Sequence, residues 1–376
     1  MAKSIYVGIN SAARKIKKLY VGINGTARKI KKAYIGIGNV ARLFFTSEPG
    51  VVKVTNPTAL ATARGNLAAT TIGNYALFGG GHENGDAYSK KVDAYDKSLT
   101  HSTPTALSKA RDNLAATTVG DYALFGGGYS ASSYSALTVD AYNSSLTHST
   151  PTLTLRTAVA RLAATTVGNY ALFGGGTKNG SVVEADVTAY DTSLTRSTPT
   201  TLSQARDSLS ATTVGNYALF GGGRGPVSVV DAYDTSLTRS TPAELSIARN
   251  KPSATTVGNY ALFGGGMGPG SSAVDTLDAY DTSLTRSIAT GLSVARTNLA
   301  STTVKNFALF GGGSSGGSPM DTLDVYDASL TRSIATELST ARINLVATSV
   351  GNYALFSGGH NNNGVYLDVV DAYTVE

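Results

Sequence analysis

Short runs of alternating apolar and polar residues recur along most of this chain. One unit appears seven times between residues 51 and 376. In its clearest copy it reads LSQARDSLSATTVGNYALFGGG, then a variable stretch, then VVDAYDTSLTRSTP. Its phenylalanine falls at Phe78, Phe125, Phe173, Phe220, Phe263, Phe310 and Phe356, at steps of 47, 48, 47, 43, 47 and 46 residues. Period-two alternation over four to six residues, bounded by Gly, Asn and Pro, predicts strands rather than helices. Each unit supplies four. Strand a is the small-residue run exemplified by Leu114 to Val119. A Gly-Asn pair such as Gly168-Asn169 turns the chain into strand b, Tyr217 to Phe220 in the clearest copy, which three glycines end. Strand c is Val230 to Tyr233. An Asp-x-Ser turn then leads to strand d, Leu-Thr-Arg-Ser-Thr, stopped by Pro104, Pro151, Pro199 or Pro242 and, in later units, followed instead by Ala289 and Ala335. The segments LSKARDN and LSVARTN have helical composition but are too short to form helices alone.

Four strands per unit at a period of 45–50 residues is the pattern of a β-propeller, and seven units give seven blades. The chain ends bear on closure. The last unit stops after its strand c (Val370 to Tyr373), while VVKVTNPTAL at 51–60 aligns with SLTHSTPTAL at 98–107. Val51 to Thr55 is therefore expected to complete the last blade and leave no open sheet edge. The chain is thus expected to be all-β, with a small hairpin module over 1–46 and the propeller over 51–376.

Residues 1–46 carry a different repeat, with Tyr6, Tyr20 and Tyr34 spaced by 14 and turn pairs at 10–11, 24–25 and 38–39. Three hairpins of this size are too small to be stable alone, so pairing with copies of itself or docking onto a larger assembly is expected.

Composition changes the picture in two places. The net charge of +6 is uneven: residues 1–47 hold ten Lys or Arg and no acid, which leaves 21 basic against 25 acidic residues in the rest. A basic arm suits an acidic partner, and equally a solvated strand face that resists edge-to-edge aggregation; nucleic-acid binding is not expected. There are no cysteines, which excludes disulfides and thiolate metal sites. No apolar run reaches signal-peptide or membrane-span length, so neither membrane insertion nor export by the usual signal route is expected.

The unit resembles the kelch motif. The matching residues are the arginine before strand a (Arg64, Arg111, Arg206, Arg249, Arg296, Arg342), the Gly-Gly after strand b, and the strand-c tyrosine (Tyr95, Tyr142, Tyr190, Tyr233, Tyr280, Tyr326, Tyr373). The unit at 152–173 has one extra residue and displaces the arginine. The Trp usual on strand d is missing, since the chain has no Trp. The resemblance implies the kelch-like propeller fold but no single activity, because such propellers include enzymes, scaffolds and adhesins. The short N-terminal repeats resemble those of structural proteins of phages and prophages of Gram-positive bacteria. That implies a virion protein on the tail or capsid surface, held by residues 1–46 to other virion proteins, and otherwise a cytoplasmic protein.

Candidate chemistry is sparse. His101 and His148 stand where later units carry Arg196, Arg239, Arg286 and Arg332, and read as surface polar residues. His82 and His360 begin the loops of the first and last units and would be neighbours in a closed ring. With Glu83 or Asp86 they still fall short of a usual metal set. The repeated Arg and strand-c Asp (Asp93, Asp140, Asp231, Asp278, Asp324, Asp371) read as packing and hydrogen bonding between blades. No catalytic constellation and no cofactor motif is present, so a non-enzyme is expected.

The units differ most between the last glycine and strand c. Topology places these b–c loops on one face with the d–a connections, opposite a face of near-identical turns. Unlike loops on a uniform scaffold are how binding faces are built. The candidate ligand residues are His82, Glu83, Asn84, Tyr88, Tyr129, Tyr134, Lys178, Asn179, Arg224, Met267, His360, Asn361, Asn362 and Tyr366. Tyr88, Tyr129, Tyr134 and Tyr366 suit stacking on sugars or peptides. A host-surface glycan or protein is the expected ligand, in a homo-oligomeric virion protein. The alternatives are a decoration protein without a receptor, a polysaccharide-degrading propeller enzyme, and a cytoplasmic interaction scaffold.

Overall fold

The computed structural model describes residues 50–55, 57–131 and 135–376 in full and, within 1–49, the course of six strands. The chain divides into two compact units, residues 1–50 with Glu376, and residues 51–375. The first holds three antiparallel hairpins: Tyr6–Ile9 with Ala12–Lys15, Leu19–Ile23 with Thr26–Ile30, and Lys32–Ile37 with Val40–Thr46. Their turn residues at 10–11, 24–25 and 38–39 lie outside the described residues.

The second unit is all-β and repeats one four-stranded antiparallel sheet seven times. Sheet 2 is representative: Ala115–Val119, Tyr122–Gly126, Val139–Asn143 and His148–Ser149, paired in sequence order. The seventh combines Val346–Val350, Tyr353–Ser357 and Val370–Val375 with Val51–Lys53 from the start of the unit. Its outer register is Tyr373↔Lys53, Thr374↔Val52 and Val375↔Val51. The strand expected over Val51 to Thr55 is shorter, although Val54 N–H still donates to Ala372 O at 3.0 Å.

The outer strands are also shorter than their sequence suggests, generally two residues such as Arg239–Ser240. The preceding leucine is not a strand residue. Leu99, Leu146, Leu194, Leu237, Leu284 and Leu330 all have φ near +60°. The carboxylate of Asp96 explains this: its Oδ1 accepts the amides of both Ser98 and Thr100, at 2.8 and 2.9 Å, and winds the chain into a tight turn that consumes the leucine. LSKARDN and LSVARTN are irregular, and the one helical element among the described residues is a three-residue 3₁₀ turn, Pro269–Ser271.

Each sheet packs its strand-b phenylalanine edge-on against its strand-c tyrosine, with ring centroids 5.8–6.2 Å apart. These rings reach into the neighbouring sheet, which explains the first glycine of the triplet. A Cβ on Gly79 would stand 2.7 Å from the Phe125 ring. The second glycine answers a backbone need: Gly80 has φ +70° and a Cβ there would meet the Arg111 carbonyl.

The first strands of successive sheets lie side by side, and hydroxyls join them. Thr118 Oγ1 donates to Thr71 O at 2.5 Å and lies 2.9 Å from Thr70 Oγ1. Its one proton is committed to the carbonyl, so Thr70 donates to Thr118. The pattern recurs through Thr117–Thr166, Thr165–Thr213, Thr212–Thr256 and Thr255–Thr303. It also joins the seventh sheet to the first, where Thr71 Oγ1 bonds the Ser349 carbonyl and Thr348 lies 2.9 Å from Thr71. Thr and Ser side chains from the first strands of all seven sheets line one cavity.

The repeated Arg–Asp pair is buried inside one sheet and does not link two. Arg64–Asp93, Arg111–Asp140, Arg206–Asp231, Arg249–Asp278, Arg296–Asp324 and Arg342–Asp371 are paired at 2.5–2.8 Å with both side chains fully buried. The same Arg64 amine donates to Phe78 O, and Asp93 Oδ1 accepts the Ala61 amide, so each pair staples the incoming segment to strands b and c of its own sheet. The link between sheets is the arginine's backbone: Gly81 N–H of sheet 1 donates to Arg111 O of sheet 2 at 2.9 Å. The physical reason is reach. The guanidinium extends along its own sheet to a carboxylate three strands in, whereas the carbonyl faces the neighbour.

His101 and His148 are likewise not surface residues. Their Nε2 atoms lie 2.6 and 2.7 Å from the buried carboxylates of Asp93 and Asp140, and the rings tilt over Tyr95 and Tyr142. Arg239, Arg286, Arg332 and Lys53 stand in the same relation to their own sheet's Asp. Each buried carboxylate therefore meets an inner arginine and an outer basic side chain.

Candidate functional site at the loop face

The b–c loops and the segments entering strand a share one face, as their hydrogen bonds require. Leu107 and Arg111, entering sheet 2, donate to Lys90 O and Ser89 O of the sheet-1 loop; Leu60 and Arg64, entering sheet 1, donate to Asp368 O and Leu367 O of the sheet-7 loop. The residue after the glycines also pairs back onto its own sheet, as Tyr129 does with Asp112.

The innermost part of this face is a circle of residues in left-handed conformation. Asn66, Asn113, Arg161, Ser208, Lys251, Asn298 and Asn344, one per sheet, have φ between +47° and +56°. Their backbones bond head to tail: Asn113 N–H to Asn66 O, Arg161 to Asn113, Ser208 to Arg161, Lys251 to Ser208, Asn344 to Asn298 and Asn66 to Asn344, at 2.8–3.1 Å. Asparagine tolerates this conformation. Arg and Lys do so at a cost of roughly 1–2 kcal/mol.

Around the circle an arc of unlike side chains crosses five sheets. At one end Tyr366 lies over Gly65, where a Cβ would meet its ring at 2.9 Å. His360 contacts the same ring edge-on at 5.6 Å, and His82 stacks between Tyr366 and Tyr88 at 5.6 and 5.0 Å. Asn84 clamps the Tyr366 backbone, donating to its carbonyl and accepting its amide. Thus His82 and His360, expected as neighbours, meet on one tyrosine. His82 Nε2 is 3.1 Å from Asp86 Oδ1, and its Nδ1 is 3.6 Å from Asp112 Oδ2. Burial raises the Asp112 carboxyl pKa, against the pull of Asn113, His82 and Arg161.

The arc continues through Tyr129, whose ring lies under the Arg161 guanidinium at 5.3 Å. Burial raises the Tyr129 phenol pKa, with Arg161 opposing it. Beyond it the fully buried Asp207 lies 2.9 Å from Arg224 Nη2 and 4.0 Å from Arg161 Nη1. Lys251 donates to Asn298 Oδ1 at 2.9 Å. Burial lowers its ammonium pKa and Arg161 lowers it further, while Asp207 pulls it back up.

Among the residues singled out from sequence, His82, Asn84, Tyr88, His360 and Tyr366 form one group, and Tyr129 and Arg224 belong to the second. Glu83 pairs outward with Lys91 at 3.3 Å. Asn361 serves its own loop, its Oδ1 accepting the amides of Asn363 and Val365. Asn179 has φ +49° and donates its amide to Ser135 Oγ. Met267 pairs its backbone with Asn250, while Lys178 and Asn362 are exposed. Tyr134 lies outside the described residues.

Sequence reasoning missed Asp112, Arg161, Asp207 and Lys251. They sit inside the repeated unit, where they read as scaffold. The available signal was a cation, at Arg161 and Lys251, replacing the asparagine of four other units.

Among the described residues no group of three His, Cys, Asp or Glu side chains is placed to hold a metal ion, and no helix is long and apolar enough to cross a membrane. No protein-family model matches the chain, and no curated protein matches it in sequence. The fold is similar to the solved structure of YjhT, a kelch-type propeller, with a TM-score of 0.56 at 11% identity over 85% of this chain and 99% of that one. At that identity the likeness carries the propeller-like all-β architecture and nothing about activity.

Proposed function

We propose that residues 51–376 form a seven-bladed kelch-like propeller, closed by its N-terminal strand, that acts as a non-catalytic binding module through the loop face. The observation that carries this reading is the arc from His360 to Arg224. The residues that differ most from unit to unit converge there, on a scaffold whose other positions are nearly identical. The half-buried Tyr88, Tyr366 and Tyr129, with His and Asn beside them, suit a polyhydroxylated ligand that stacks and hydrogen-bonds. A host-surface glycan or protein is the proposed ligand. The virion setting, with residues 1–46 attaching the protein to the particle, rests on the resemblance of the short basic repeats.

The test is glycan-array and cell binding by the intact chain and by a variant whose loops 82–91 and 360–369 are replaced by the short loop of residues 224–229. Binding lost from a folded variant supports the reading, and undiminished binding removes it. One observation favours an alternative, an enzyme acting on polysaccharide: His82 lies between Asp86 and Asp112. Polysaccharide cleavage that disappears in His82→Ala would establish that alternative.

A further inference from the structure

The outer strands of the sheets are not alike. In the first four sheets the strand runs into Thr-Pro, at 103–104, 150–151, 198–199 and 241–242. In the fifth and sixth the same two positions hold Ile288-Ala289 and Ile334-Ala335, within an identical stretch Ser-Leu-Thr-Arg-Ser-Ile-Ala-Thr at 283–290 and 329–336. Alanine in place of proline has a direct backbone consequence. Ala335 N–H donates to Leu323 O of strand c at 3.1 Å, a bond that proline cannot make. The ladder therefore runs on: these outer strands are Arg286–Ala289 and Arg332–Ile334, against Arg239–Ser240 in the fourth sheet. Hydrogen-bonded and open pairs alternate along an antiparallel ladder. Ala335 faces inward, so Ile334 turns its N–H and C=O away from the sheet. Ile288 does the same, since it stands opposite Asp278 as Ile334 stands opposite Asp324. Their side chains, 61% and 59% exposed, are the two most exposed large apolar ones among the described residues. Proline and very short strands keep sheet edges from pairing. Two successive sheets lack both protections and carry an isoleucine where the pairing groups point outward.

We propose that these edges are where copies of this chain associate, outer strand against outer strand, antiparallel about a two-fold axis. Charge selects both the partner and the register. Centred on Ile288, the pairing sets isoleucine against isoleucine, Ser287 against Ala289 and Arg286 against Thr290, so no like charges meet. The sixth sheet gives the same matches through Arg332 and Thr336, and the identical sequences let either edge pair with either. A register centred on Arg286, or a parallel in-register pair, would set arginine on arginine, which is unfavourable. Arg286 and Arg332 are also turned to Asp278 and Asp324 of their own sheets, so the edge offers no free charge to attract a charged foreign strand. A two-fold contact needs a surface complementary to itself, and this edge is one. Four residues of ladder and one pair of isoleucines bury less than the roughly 1,200 Å² of a lasting interface, so association is expected near about 0.1 mM rather than at nanomolar concentration.

The test is sedimentation of the full chain from about 5 to 500 µM, a range that brackets the expected affinity. The informative variant restores the sequence of the other sheets: Ile288→Thr, Ala289→Pro, Ile334→Thr and Ala335→Pro together. Four sheets of the same molecule already carry Thr-Pro at these positions, so the fold accommodates it. A second variant, Ile288→Lys with Ile334→Lys, leaves the ladder intact and sets like charges against each other. Each variant should raise the dissociation constant at least about tenfold at an unchanged melting temperature. In the wild type, amide exchange at Ile288 and Ile334 should slow with concentration, as their N–H groups find acceptors. If the proline variant unfolds, the lysine variant and the exchange measurement decide. A wild-type mass that does not change with concentration overturns the proposal. So does association of equal strength in the lysine variant, which would place the contact elsewhere, residues 1–46 included. Excess peptide of residues 329–336 should reverse association. An unrelated β-strand peptide reversing it equally would assign the edges to extended partners in general, and would overturn pairing between copies.

Discussion

Position 159 carries a lesson about buried charge. Six sheets bury an Arg–Asp pair; the third has Val159 where the others have arginine and Thr188 where they have aspartate. Thr188 Oγ1 still accepts the amide of Arg156 at 3.1 Å, as the Asp Oδ1 does elsewhere. Both members changed together, which is what desolvation demands: one buried charge without its partner is costly, whereas a neutral pair of similar volume is tolerated. Arg249→Val is therefore expected to destabilise the protein by about 3 kcal/mol, because Asp278 loses its fully buried partner and keeps only the part-exposed Arg286 and the Ser246 amide. Arg249→Val with Asp278→Thr should recover most of that loss. Urea unfolding of the two single variants and the double variant checks this, and a double variant no more stable than Arg249→Val would show that the pair is not the unit of exchange. A second expectation concerns packing. Phe220→Ala should cost about 3–5 kcal/mol, because its fully buried ring also fills the space left by Gly174 of the neighbouring sheet.

At the scale of elements, the strand Val51–Lys53 joins the two ends of the repeat array. It supplies the outer ladder of the seventh sheet, and Lys53 Nζ lies 2.7 Å from Asp371 as the outer cation of that sheet. Deleting residues 1–53 should lower stability by about 3 kcal/mol or more relative to deleting residues 1–46, at about 1 kcal/mol for each ladder hydrogen bond plus the lost ion pair. Denaturation midpoints of the two truncations measure the difference. Equal midpoints would mean that the terminal strand contributes nothing. The outer strands also show what a pattern can miss. Leu-Thr-Arg-Ser-Thr alternates like a strand, but an aspartate three residues before the leucine diverts it into a turn, and only the pairing register reveals where the strand begins. The Arg–Asp motif was legible as structural, since repeated copies suit architecture, but its direction within one sheet was not.

For the whole molecule, the buried carboxylates couple stability to acid. Burial alone would raise the Asp140 pKa, but Arg111, the Ser108 amide and His148 outweigh it and hold the group below its ordinary value. Asp371 is lowered in the same way, against its own burial, by Arg342 and Lys53. A carboxyl whose folded pKa lies below its unfolded one stabilises the fold fully above the unfolded value, near 4. That contribution is lost as pH falls from there through the folded pKa. Unfolding free energy should accordingly be flat from about pH 6 to pH 5 as far as these groups go, then fall steeply below about pH 4. Chemical denaturation across that range tests it; a stability rising on acidification would contradict the sign. The sequence by itself determined the all-β class, the seven repeated units, their four strands and the variable face, because period-two alternation, glycine triplets and a fixed spacing are local properties of the chain. Only the tertiary structure decided which side chains share the centre of that face. Arg161, Asp207 and Lys251 belong to different units more than forty residues apart, and their convergence depends on how successive sheets pack on one another, which no single unit encodes.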